Sequence, residues 1–233
     1  MMVGKDVSDI SVKVPEDVHD NGKDVPTFSA YLTAIVKDSQ GRVIRVHRQR
    51  SHSPTANFIG LLLPVNWYIS IGQAFTITTT SNSNQSYQPN VNSSAYCISY
   101  PNSVTNYQTY LVMIQVGSGT QSNAFNAYSL AAPITNGTGT GQAVYGTPSF
   151  SNTATVSGSS AYFIIEQSLN NPSSSVLSIT EVGIIIYLQT TIAGGASMCH
   201  CGQFLVWYDT LSSTISVPGG GSLAIYYTFT VNP

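Results

Sequence analysis

Apolar and polar residues alternate with period two along much of this chain, a pattern that predicts strands rather than helices. Phe28 to Lys37 and Arg42 to Arg48 flank Asp38-Ser39-Gln40-Gly41, a turn sequence that joins the two runs into a hairpin. Further strands are predicted at Ala74 to Thr80, Ala95 to Tyr100, Tyr110 to Val116, Tyr162 to Gln167, Val176 to Leu188, Phe204 to Tyr208 and Leu223 to Val231. Long stretches rich in Ser, Thr, Asn and Gly separate them, and no segment recurs with the period of a solenoid or propeller. One helix is expected. Ser53 reads as an N-cap ahead of Pro54, and Pro64 ends the run Pro54 to Leu63, which is either a core helix or a partner-docking segment. The apolar run Ala56 to Gly72 falls short of the roughly 20 residues a spanning helix needs and is broken by Pro64, Asn66 and Ser70.

The pattern as a whole predicts an all-β chain, an antiparallel β-sandwich of jelly-roll type, with an immunoglobulin-like sandwich as the nearest competitor. Residues 1–26 mix both charges with Pro15, Gly22 and Pro26 and lack a hydrophobic period, so they are expected to form an extended N-terminal arm. Residues 27–233 then make a single sandwich domain that includes a basic hairpin at 28–50.

Charge changes this picture. Charged residues are 8% of the chain, about a third of the usual share, while hydrophobic residues at 42% suffice for a packed core. The surface is wetted instead by 32 Ser, 23 Thr, 16 Asn and 12 Gln. All eight bases lie in the first fifty positions, and from Ser51 onward only Glu166, Glu181 and Asp209 carry charge. A body this neutral suits an extracellular or assembled protein, and with so few carboxylates to protonate it is expected to stay folded in acid. The opening residues hold no apolar core of signal-peptide length, so the expectation is synthesis in a host cytoplasm and exit inside a particle.

Candidate chemistry is sparse. Glu166 and Glu181 are the residue types of a glycosidase pair, but Glu181 sits inside an apolar strand, where a carboxylate bonded to backbone amides or a tyrosine is the simpler expectation. Cys199-His200-Cys201 invites a zinc reading, yet alternate residues of a strand face opposite ways and no second ligand pair is near. Cys97, Cys199 and Cys201 leave three readings open: a disulfide between Cys97 and one of the pair, buried thiols, or a metal site. Gly117-Ser118-Gly119 and Gly137 to Gly141 lack the lysine of a phosphate loop and read as turns. His19, His47 and His52 read as solvated residues. Asn84, Asn92 and Asn136 head glycosylation sequons in predicted loops.

Lys37, Arg42, Arg45, Arg48 and Arg50 stand against the single acid Asp38 in the basic hairpin. On one strand, Arg42, Ile44, Val46, Arg48 and Arg50 face one way, and Val43, Arg45, His47 and Gln49 the other. These five bases are the candidate assembly contacts, by ion pairing to an acidic neighbour. Genome or membrane head-group contact, and a charged edge that resists aggregation, remain as alternatives.

Three stretches in order carry a resemblance: VHRQRSHSPTANFIGLL (Val46 to Leu62), VGSGT (Val116 to Thr120) with AYSLAAPI (Ala127 to Ile134), and SITEVGIIIYL (Ser178 to Leu188) ahead of FLVWYDTL and SLAIYYTFTV. Together they resemble jelly-roll virion structural proteins of archaeal viruses from hot acidic habitats. The resemblance implies a non-enzymatic subunit of a penton base, turret, tail or nozzle, without cofactor or catalytic residues. Its partners would be copies of itself, other virion proteins and a host-surface receptor. A receptor- or carbohydrate-binding sandwich module is the alternative function, and an archaeal pilin or surface-layer subunit the second alternative.

Overall fold

The structure, a computed structural model, describes residues 27–51, 53–58, 75–78, 80–81, 84–87, 112–151, 155–191 and 199–232. The expected arm (residues 1–26), the predicted strand Ala95 to Tyr100, Cys97, Asn92, His19 and His52 lie outside them.

Two antiparallel sheets pack face to face in a sandwich-like, all-β arrangement. The larger is built on β1 (Thr27–Lys37), β2 (Val43–Ser51), β9 (Ser160–Asn170) and β12 (Ser222–Asn232), in the order β2-β1-β12-β9. The outer side of β9 is lined by three short strands, β6 (Val144–Tyr145), β7 (Ser149–Phe150) and β8 (Thr155–Ser157). They run in series along β9 as one interrupted edge, an arrangement that blunts edge-to-edge pairing. The smaller sheet has the order β11-β10-β5, from β5 (Val112–Gly117), β10 (Leu177–Thr191) and β11 (Cys199–Val217). A separate hairpin pairs β3 (Phe75–Thr78) with β4 (Asn84–Tyr87).

The β1–β2 turn forms where its sequence predicts. Asp38 Oδ1 accepts hydrogen bonds from the Gln40 and Arg42 amides, Gly41 takes a positive φ of 77°, and Arg42 Nε donates to Asp38 Oδ2 at 2.7 Å. The Arg42 amide and guanidinium hold the Asp38 carboxyl below its ordinary range. The helix starts later than expected. Pro54 forms a bridge with Trp207, Ser53 O accepts from the Tyr208 amide, and the helical turn begins at Ala56, where Phe58 N donates to Thr55 O. Pairing with β11 therefore takes Ser53 and Pro54 out of the capping role.

Between the sheets lies the main core, with Leu32, Ala34 and Val36 of β1, Leu223, Ile225 and Tyr227 of β12, and Ile114, Val182, Ile184 and Trp207 facing them. Sheet position alone would leave the far side of the smaller sheet wet. It is instead covered by the loop 118–134, whose Ala127 and Leu130 pack on Met113, Ile185, Leu205 and Tyr208. Val206 is an extra residue opposite the Ile184/Ile185 step, and Leu211 to Thr214 bulge from β11 opposite Thr180. Asn171, buried at the β9 end, donates from Nδ2 to the carbonyls of Ser175, Val217 and Pro218, tying the crossover from β11 to β12.

Replacing Asn171 with Ala should lower stability by about 1–3 kcal/mol, because three carbonyls lose a donor in a buried place. Chemical denaturation checks it, and an unchanged midpoint would count against this account.

Candidate functional site

The two faces of β2 differ as the alternation predicts. Ile44, Val46, Arg48 and Arg50 are exposed, while Arg45, His47 and Gln49 turn towards β11. The inward group locks β2 to the bulge in β11. Arg45 Nη1 donates to Thr214 O at 2.7 Å and Nη2 to Ser213 Oγ at 2.8 Å. Gln49 Nε2 donates to Thr210 O, and Ser212 N donates to Gln49 Oε1. His47, expected to be solvated, is buried, with Nε2 2.9 Å from Gln49 Oε1 and Nδ1 3.4 Å from Ser213 Oγ. Arg45 and Gln49 reach backbone groups of the bulge, and His47 between them is held by the side chains of Gln49 and Ser213.

The five basic candidates therefore separate. Arg45 is spent on the fold, Arg42 is paired with Asp38, and Lys37 sits half-buried at the end of β1. Arg48 and Arg50 remain on the outer face. Arg48 is in register with Thr33, Thr33 with Tyr226 and Tyr226 with Glu166, so one row crosses four strands from guanidinium to carboxylate. Burial, and then the Glu166 carboxylate bonded to it, push the Tyr226 phenol up to about 12.

Glu181 is completely buried and organises the loop over the smaller sheet. Its Oε1 accepts from the amides of Gly119 (3.2 Å) and Ala132 (2.8 Å), and its Oε2 from the Ala131 amide and the Tyr208 hydroxyl, both at 3.0 Å. A Cβ at Gly117 would stand 2.3 Å from Glu181 Oε1 and 2.7 Å from Ala132 O, so the Val116 to Thr120 turn needs glycine for room beside the carboxylate. Burial, with Glu181 adding to it, raises the Tyr208 phenol above its ordinary value. This bears out the reading of Glu181 as an acid bonded to backbone amides and a tyrosine.

Asp209 plays the matching part between the sheets. Ser51 Oγ and Tyr227 Oη donate to its Oδ2 at 2.5 Å and 2.9 Å, and Trp207 Nε1 donates to Ser51 Oγ. Ser51 and Tyr227 belong to the larger sheet and Asp209 to the smaller. Burial, then the Asp209 charge, push Tyr227 well above its ordinary value. Two of the three carboxylates beyond Ser51 are thus buried hydrogen-bond acceptors.

Glu166 and Glu181 do not converge. Glu166 lies on the outer face of the larger sheet and Glu181 beneath the loop on the far side of the smaller one, with the whole core between them. Cys199 and Cys201 fall in β11 opposite Thr191 and Gln189, and no group of three His, Cys, Asp or Glu fit for a metal occurs among the described residues. Asn84, expected in a loop, opens β4, whereas Asn136 lies in a loop with its Oδ1 accepting from the Tyr145 amide. Comparison with family models, curated proteins and solved structures finds no match to this chain.

Two results are expected from these geometries. Glu181→Gln should destabilise the protein by about 3 kcal/mol, because an NH2 group would oppose donors, and amide exchange at Ala131 and Ala132 should accelerate. Unchanged exchange there would refute the staple. Phenols raised on folding hold their protons more tightly in the native state, so the stability they contribute is complete below pH 10 and falls as pH rises above it, for Tyr226 through about 12. Denaturant unfolding followed through that window should show the decline, and Tyr227→Phe should flatten it.

Proposed function

We propose that the chain is a non-enzymatic structural component of a virus particle, a jelly-roll subunit of a capsid vertex, tail or nozzle that is held by its neighbours. One observation carries the reading: the outer face of β2 lines up Ile44 (53% exposed) and Val46 (43% exposed) with Arg48 and Arg50. Apolar groups in line with guanidiniums suit an interface, where aliphatic contact supplies area and arginine makes two-point bonds to carboxylates. The neutral, hydroxyl-rich body supports the same reading, since large faces can meet copies of themselves without like-charge repulsion. The interior use of Glu181 and Asp209 supports it too, because both acids serve as hydrogen-bond acceptors for the fold.

Particles purified from a culture that makes this protein should contain it in fixed ratio to the other coat proteins. Recovery only as a free monomer would overturn the proposal. Arginine substitutions should also divide. Arg48→Gln with Arg50→Gln should weaken assembly with the fold intact, whereas Arg45→Gln should cost about 1 kcal/mol of stability by freeing the β11 bulge. Sedimentation and denaturation, measured on the same variants, separate the two effects.

A further inference from the structure

The assembly reading leaves open what lies against β2, and the sequence supplies a match. We infer that the outer edge of β2 receives, by strand addition, the segment Ile10 to Val14 from the N-terminal arm of a second copy of this chain. The inference rests on the assembly reading and names its contact.

Four observations lead there. First, β2 is an edge strand: among the described residues its only partner strand is β1. Second, its outer face exposes Ile44 and Val46 beside Arg48 and Arg50, an apolar and cationic strip. Third, Ile10, Val12 and Val14 alternate with Ser11 and Lys13, a five-residue strand pattern too short to build a sheet alone but long enough to extend one. Fourth, residues 1–26 hold six acids against three bases, and Asp6, Asp9, Glu16 and Asp17 bracket that segment. The charge of the arm is thus opposite to that of the strip. Of the hairpin's arginines, Arg42 and Arg45 are engaged internally, so Arg48 and Arg50 are the ones left to meet those carboxylates.

Direction favours a second copy over the same chain. Ala30 is in register with Ser51, so Thr27 lies past the far end of β2, at the end of β1 away from the β1–β2 turn. Reaching its own β2 would require a reversal within the intervening residues, which docking on a neighbour's β2 does not by itself require. The thirteen residues from Val14 to Thr27 span up to roughly 45 Å when extended.

The test uses two full-length variants that break opposite halves of the contact. Ile10→Ser/Val12→Ser/Val14→Ser removes the apolar side of the segment, and Arg48→Glu/Arg50→Glu reverses the charge of the strip. Each alone should raise the dissociation constant for self-association by roughly tenfold or more, with an unchanged circular dichroism spectrum and, for the wild type, weakening with salt. Mixed one to one, the two should recover association, because the intact arm of the strip variant meets the intact strip of the arm variant. Association without recovery on mixing would mean that the segment docks within its own chain or elsewhere, and would overturn the exchange. If the wild type assembles and both variants assemble like it, the docking is wrong while the assembly reading stands. A wild-type chain that stays monomeric at all concentrations would overturn both.

Discussion

A three-stranded sheet buried against a wider one has two edges whose backbone groups are cut off from water, and each unpaired group would cost a large part of a domain's net stability. In this molecule polar side chains meet that demand. At the β5 edge, Gln167 Oε1 accepts from Ile114 N at 2.5 Å while Gln167 Nε2 donates to Gly146 O, and the Tyr145 hydroxyl accepts from Val116 N and donates to Ile134 O. At the β11 edge, Arg45 and Gln49 reach the bulge, and Ser53 and Thr55 pair with the Tyr208 and Val206 backbone. These bonds pin both edges of the smaller sheet without a continuous barrel ladder, while β2 stays an edge strand among the described residues. Hydrophobic area drives the sheets together, but these bonds fix how they lie.

The same logic explains the placement of charge. A body with three carboxylates has little electrostatic latitude, and two of them sit where a backbone or hydroxyl donor would otherwise be orphaned. Glu181 serves one loop and one strand, and Asp209 serves both sheets. Two polar atoms on the larger sheet, Ser29 Oγ and the neighbouring Thr230 Oγ1, are buried without a hydrogen-bond partner among the described residues.

Much of this was legible in the sequence where the signal is local. The Asp38 to Gly41 turn, the division of β2 into two faces and the bonding role of Glu181 follow from turn chemistry, period two and the oddity of an acid in an apolar strand. What could not be read depends on distant residues. Leu211 to Val217 looks like a serine-rich linker, yet β11 resumes after the bulge because Leu177 to Ile179 pairs with Ile215 to Val217. His47 and Arg45 look like members of a solvated basic cluster until the bulge brought opposite them is known. The loop that covers the smaller sheet carries no periodicity, and its anchor at Glu181 lies about 50 residues away.

The pairing of Thr27 with Asn232 has a mechanical consequence. The first residue of β1 lies beside the last residues of β12, so opposing forces applied at those two points would open the β1–β12 ladder like a zipper, parting one register pair after another. A force applied at Thr27 of β1 and resisted at Ser222, the opposite end of β12, would load the same ladder in shear, with all its hydrogen bonds sharing the strain at once. The body is therefore weak to peeling from one end and strong along its strands, and its resistance depends on where it is gripped.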